Sequence, residues 1–191
     1  ADLDCDARAN LAMEVFNRLV QPEFHRWQTA RGLECLDYVD TVDQDVGGGR
    51  RDLWHRYLYR PTSQAQDVCS TWETAYQGSW WYSLWLVAAS GVVLASEDKE
   101  LGHDFNSVCG VFCSPSLKVA EKYARPGKPF PDGLYHRLVY ELWVQPGKRR
   151  KRRHGSTGSQ WILQPDHVRL KAVRIKIDAP PEQHVEGWSK W

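Results

Sequence analysis

The fold class the sequence predicts is α+β, and three patterns predict it. YHRLVYELWVQ, residues 135–145, alternates like a strand with one buried face. QWILQPDHVRLKAVRIKI, residues 160–177, supplies two further strands around a Pro-Asp turn. Helical spacing is interspersed among the strands without regular strand-helix alternation, which argues against a doubly wound parallel sheet. At 191 residues with 42% hydrophobic side chains, the chain can bury the core of one domain.

Each element follows in order. DARANLAMEVFNRLVQPEFHRWQ, 6–28, sets Leu11, Val15, Phe16, Leu19 and Val20 at helical spacing, with a break predicted near Pro22. Residues 1–65 are therefore read as a helical N-terminal extension, and 66–191 as the domain proper. DVGGGRR, 45–51, has nothing to pack and lacks the Lys-Ser/Thr of a phosphate-cradling loop, so it reads as a linker. RDLWHRYLYRPTS, 51–63, fits a short helix or a strand. CSTWETAY reads as a strand, SWWYSLWLVAASG as a helix closed by Gly91, and VCGVFCS as a strand. SPSLKVAEKYA reads as a helix with Pro115 at its start, where the missing N–H costs no bond.

The net charge of +1 conceals an asymmetry. Acidic residues gather in ADLDCD and LDYVDTVDQD, while GKRRKRRHG, 147–155, is a basic block, so the balance excludes no nucleic-acid partner. No apolar run approaches the roughly 20 residues of a spanning helix, and the expectation is a soluble protein with no membrane partner. Five cysteines with neither a CxxC pair nor zinc-finger spacing read as reduced thiols in an intracellular protein, cytoplasmic or nuclear. Cys109 and Cys113 come nearest to a metal site, and small buried thiols are the better reading. His103 beside Asp104 would make an acid-base pair, but reads better as a satisfied surface histidine. His55, His136 and His167 have no nucleophile at readable spacing. The absence of G-x-S-x-G and H-E-x-x-H lowers the hydrolase and metalloprotease readings.

GVFCSPSLKVAEKY, 110–123, is more specific. It holds Gly110, Phe112 after one intervening residue, and Tyr123 eleven residues further on. This resembles the nicotinamide-slot segment of diphtheria-toxin-like ADP-ribosyltransferases, the poly(ADP-ribose) polymerase type. SQWILQPDHVRLKAVRIKI, 159–177, resembles that family's closing strand pair, with Gln160 where the family has its catalytic Glu. STWETAYQGSWWYSLWLVAASGVVLAS, 70–96, looks like the family's His-x-Ser/Thr strand and following helix, with Trp72 at the histidine position and Thr74 at the hydroxyl position. The resemblance spans roughly residues 69–177 and reads Trp-Tyr-Gln for His-Tyr-Glu. Ala120 stands where the family has a hydroxyl that bonds the carboxamide.

The resemblance implies a split β-sheet core with short helices around an NAD cleft, with NAD as substrate and no metal. It implies Phe112 and Tyr123 gripping nicotinamide, Gly110, Trp72, Thr74 and the Glu73 backbone contributing to the cofactor site, and Gln160 and Tyr123 as catalytic positions. Gln160 keeps an acceptor oxygen and two donors but no charge, so chain elongation is not expected and transfer of a single ADP-ribose is. The alternatives are an inactive module binding NAD, ADP-ribose or RNA, and an RNA 2'-phosphotransferase-like enzyme, which shares the fold and replaces the Glu with basic residues. Lys148, Arg149, Arg150, Lys151, Arg152 and Arg153 are expected in a hairpin-like loop near the cleft. That loop is either solvated or a nuclear-localisation patch, or it steers an RNA or DNA acceptor by its phosphates. Arg125, Lys128 and His154 would extend the patch. Trp80 and Trp81 offer faces for base stacking, although their helical spacing with Leu84, Trp85 and Ala88 favours a core role.

Overall fold

The computed structural model describes residues 18, 21–30, 35–45, 51–60, 71–80, 83–84, 87–88, 91–93, 95, 110–128, 134–153 and 159–178. The first fully described helix, α1 (Gln21–Ala30), carries Pro22 in its first turn, where proline gives up an N–H that has no helical partner. Residues 6–17, 19 and 20 of the expected helix lie outside the described residues. Gln28 Nε2 donates to Leu36 O at 2.6 Å and ties α1 to the strand that follows.

The expectation of a helical extension over 1–65 is corrected from Leu36 onward. β1 (Leu36–Asp45) and β2 (Arg51–Tyr59) pair antiparallel from Leu36 opposite Tyr59 to Asp45 opposite Arg51, so the glycine segment connects a hairpin. β2 then pairs with β8 (Val168–Asp178), His55 standing opposite Ile175. Trp54 and Tyr57 are buried by this pairing, which suits aromatic side chains on a pleated surface.

The remaining strands are β3 (Glu73–Ser79), β4 (Val111–Cys113), β5 (Tyr135–Val144), β6 (Arg150–Arg153) and β7 (Ser159–Leu163). A short helix, α2 (Leu117–Glu121), follows β4, and a 3-10 turn (Pro165–His167) separates β7 from β8. They form a five-stranded sheet ordered β1-β2-β8-β5-β3 and a three-stranded sheet ordered β4-β7-β6. The class is therefore α+β, dominated by antiparallel strands, with helices at the margins. An isolated bridge joins the sheets: Tyr76 N–H donates to Ser114 O at 2.7 Å and Ser114 N–H to Tyr76 O at 2.8 Å.

Alternation decides what each face carries. Tyr57, Ala75, Leu138, Tyr140, Leu142, Val173 and Ile175 of the large sheet join Val111, Cys113, Trp161 and Leu163 of the small one in the main apolar core. A second cluster holds Trp54 and Val139 with Leu117, Ala120 and Ala124, and Tyr76 packs against it. In β8 the alternation slips by one residue where β5 shifts register, between Glu141 and Leu142. A bulge of this kind lets Arg169 and Lys171 before it share a face with Arg174 and Lys176 after it.

That face carries a buried ionic cluster. Glu141 is 2% exposed and accepts from Arg174 Nη2 at 2.7 Å, Lys171 Nζ at 2.9 Å and Arg56 Nε at 3.0 Å. Burial works to raise the Glu141 carboxyl, but Lys171, Arg174 and Arg56 outweigh it and hold the group below the usual carboxylate range. Lys176 pairs with Glu121 of α2, and Arg137 bonds Asp178 Oδ2 at 2.5 Å and Glu121 O at 2.9 Å. Among the described residues no helix is long and apolar enough to cross a membrane, and no group of His, Cys, Asp and Glu has the makings of a metal site.

Candidate functional site

Past the Tyr76–Ser114 bridge the two sheets part, and a pocket lies there. Its empty space is about 400 Å³ when the open solvent at its mouth is counted. The small sheet supplies Phe112, Cys113, Ser114 and Gln160, the end of β3 supplies Tyr76, Gln77 and Gly78, and α2 with the turn after it supplies Val119, Ala120 and Tyr123. Phe112 and Gln160 lie on the same face of the small sheet because Phe112 stands opposite Ile162, two residues beyond Gln160. The segment after β4 brings Tyr123 back to the same opening.

Gly78 sets how close α2 comes. A Cβ at this position would meet Ala120 O, lie 2.5 Å from Ala124 N and 2.8 Å from the Tyr123 carbonyl carbon, all of them backbone atoms. Only glycine lets this backbone sit on β3, and that seat positions Tyr123. Tyr76 spends its N–H and C=O on Ser114, so by strand alternation those of Gly78 face the same edge, away from β5. A donor and an acceptor thus lie side by side, as a primary carboxamide requires.

Two of the lining residues carry a buried acceptor. Gln160 is 5% exposed, and its Oε1 has no hydrogen-bond partner; the buried Oε1 of Gln77 has none either. Leaving a buried acceptor unpaired costs about 1–3 kcal/mol. Ser114 Oγ is engaged, donating to Ser159 O at 2.9 Å and accepting from Ser116 N at 3.2 Å. Burial pushes the Cys113 thiol up to about 12, so it is no thiolate nucleophile. The pocket can stack, donate and accept, and among its described lining residues none is an acid, a histidine or a basic side chain.

The expected cofactor contacts on β3 lie at the end of the strand away from the pocket. Thr74 is four residues from Gly78, roughly 13 Å at strand rise, and its Oγ1 accepts from Lys171 Nζ at 2.9 Å. Glu73 pairs with Arg149, and Trp72 is half-buried ahead of the strand; none of the three is among the lining residues. Gly110 also stands outside the lining. Its φ of +154° and the 2.8 Å that a Cβ would leave to Ile162 Cγ2 give it a packing role beside Phe112. Tyr76, Gln77 and Gly78 are not expected from the sequence, although a glycine inside a strand pattern is itself a sign of close backbone approach.

The basic block is corrected from loop to strand over Arg150–Arg153. β6 pairs with β7 so that Arg152 stands opposite Gln160, Lys151 opposite Trp161 and Arg150 opposite Ile162. Lys148 and Arg150 are exposed, whereas Arg149 is held by Glu73 and lies 4.2 Å from the Trp161 ring centroid. Arg125 lies 3.9 Å over Trp80 and Lys128 4.7 Å over Tyr135, so both cations rest on aromatic faces. His154, His103, Asp104, Cys109 and Trp81 lie outside the described residues. His55 and His136 are buried in the large sheet, and His167 sits in the 3-10 turn 3.9 Å from Asp166. No protein-family model matches the chain and no curated protein matches it, so its chemistry rests on its own residues.

Proposed function

We propose that the pocket is a nicotinamide slot and that the protein is an NAD-dependent mono-ADP-ribosyltransferase of the type its motifs resemble. The observation that carries this reading is the convergence of Phe112, Tyr123 and Gln160 on one pocket, beside the Gly78 edge of β3. Phe112 and Tyr123 grip the ring. The Gly78 backbone, rather than that of Glu73, reads the carboxamide, and the Gln160 amide holds a ribose hydroxyl. Transfer breaks the ribose C1'–N bond, nicotinamide leaves with the bonding pair, an acceptor oxygen bonds C1', and its proton passes to solvent. A preorganised group facing such developing charge is worth about 2.7–4 kcal/mol. Gln160 supplies position without charge, so transfer is slow and stops at one unit. β6, with Arg152 opposite Gln160, favours an RNA or DNA acceptor, drawn in by its phosphates, and the reading implies an intracellular protein, cytoplasmic or nuclear.

A non-catalytic module that binds NAD, ADP-ribose or RNA is the second reading, favoured by the lack of any carboxylate, histidine or basic side chain among the described lining residues. The test is nicotinamide release from NAD by mass spectrometry, with RNA, DNA and a protein pool as acceptors, comparing wild type with Tyr123→Ala. Release that depends on Tyr123, with an adduct on one acceptor, supports the transferase. NAD protecting the fold against heat without any release supports the module. Neither release nor protection removes the NAD reading and leaves the phosphotransferase comparison.

A further inference from the structure

We infer that Glu73 is a built-in competitor at the basic block: its carboxylate occupies Arg149, and single-stranded RNA binds by putting a phosphate in its place. The inference rests on the reading of the basic block as an acceptor surface and adds a regulation to it.

The chain path brings the pair together. β3 begins with Glu73 opposite Val144, the last residue of β5, and the chain then leaves the large sheet through a turn in which Gly147 takes a φ of +76°. Arg149, the residue before β6, comes back against the start of β3 and pairs with the Glu73 carboxylate. Its guanidinium lies 4.2 Å from the Trp161 ring centroid, and Trp161 is itself held in the main core. A planar guanidinium resting on a fixed ring keeps its orientation when its anion leaves, which preorganises it for a phosphate in the same place. The carboxylate is the looser partner. The Glu73 side chain is 39% exposed against 23% for Arg149, and an ion pair this wet contributes little. Lys148 and Arg150, on either side of Arg149 in the chain, are exposed. A strand of phosphates that reaches all three brings several anions where Glu73 brings one, so it wins the exchange.

Dissociation constants for a labelled single-stranded oligouridylate are measured by fluorescence anisotropy across a salt series. Glu73→Gln is expected to tighten binding about two- to fivefold, the scale of an exposed ion pair. It is also expected to steepen the slope of log K against log salt by about 0.7, because Arg149 then carries a counterion for the phosphate to release. In an Arg149→Gln background both effects are expected to vanish, which separates a competitor on Arg149 from a general loss of negative charge. Glu73→Ser, read in the same way, takes the place of Glu73→Gln if that variant does not fold. Unchanged or weaker binding by the Glu73 variant, or tightening that persists without Arg149, overturns the inference and leaves the acceptor surface standing. Polyglutamate binding as tightly as the oligouridylate assigns the surface to an acidic protein and overturns the inference too. No binding of the oligouridylate by the wild type or by the Glu73 variant overturns the acceptor surface, and the inference with it.

Discussion

Gly78 is the residue on which the pocket's geometry turns, since a side chain there would press into three backbone atoms of the α2 segment. Those atoms have no rotamer with which to yield. Gly78→Ala is therefore expected to lower stability by about 1–3 kcal/mol, the usual cost of overpacking, and to abolish thermal protection by NAD. Gly147→Ala is the control: its φ is +76° but nothing lies within 4 Å of the added Cβ, so it should cost only the left-handed penalty of roughly 1–2 kcal/mol and leave ligand protection intact. Glu141 makes a second residue-scale case. Glu141→Gln leaves Arg56, Lys171 and Arg174 with a neutral partner in a buried setting, and urea denaturation should show a loss on the order of 3–5 kcal/mol. An unchanged midpoint would mean that solvent, rather than Glu141, compensates those cations.

Among the elements, those with clean alternation are legible in the sequence and those with masked alternation are not. β5 and β8 can be read because YHRLVYELWV alternates and VRLKAVRIKID does so on either side of its slip, and α2 because SPSLKVAEKYA opens with a serine and a proline. β1 is hidden because Asp37, Asp40, Asp43 and Asp45 make LDYVDTVDQD look like a charged run, and its strand character comes from pairing with β2. β3 is readable as a strand, but the motif resemblance puts the slot at its first residues. The position of Tyr76–Gly78 depends on the bridge to Ser114, a long-range pairing that no local pattern encodes. β6 is hidden for the same reason as β1, since four consecutive basic residues carry no period, and only β7 makes them a strand. Because Lys148 and Arg150 are exposed, replacing both with Gln is expected to leave the thermal midpoint nearly unchanged while weakening single-stranded RNA binding. The slope of log K against log salt should fall by about 0.7 for each phosphate that is no longer neutralised. A slope that does not move would leave β6 as a structural edge only.

At the scale of the whole molecule, β8 pairs with β2 on one side and β5 on the other, so residues 36–59 belong to the sheet. Removing residues 1–65 should expose one edge of β8 and uncover its neighbours, replacing a single cooperative unfolding transition with a broad one or with aggregation in a heated sample. The same pairing brings His55 into a dry position, where burial first and the charge of His136 second lower its pKa to about 4. The fold thus prefers the neutral ring, and the unfolded chain binds the extra proton between pH 6.5 and 4. Stability should be full above pH 6.5 and decline by roughly 3 kcal/mol as the pH falls to 4, a slope that His55→Gln flattens in urea titrations. The backbone ladder between the two sheets, among the described residues, is the Tyr76–Ser114 bridge, two hydrogen bonds at the inner end of the pocket. An occupant seated against that bridge would hold both strands to it, so solvent exchange at the Ser114 amide should slow whenever the pocket is filled.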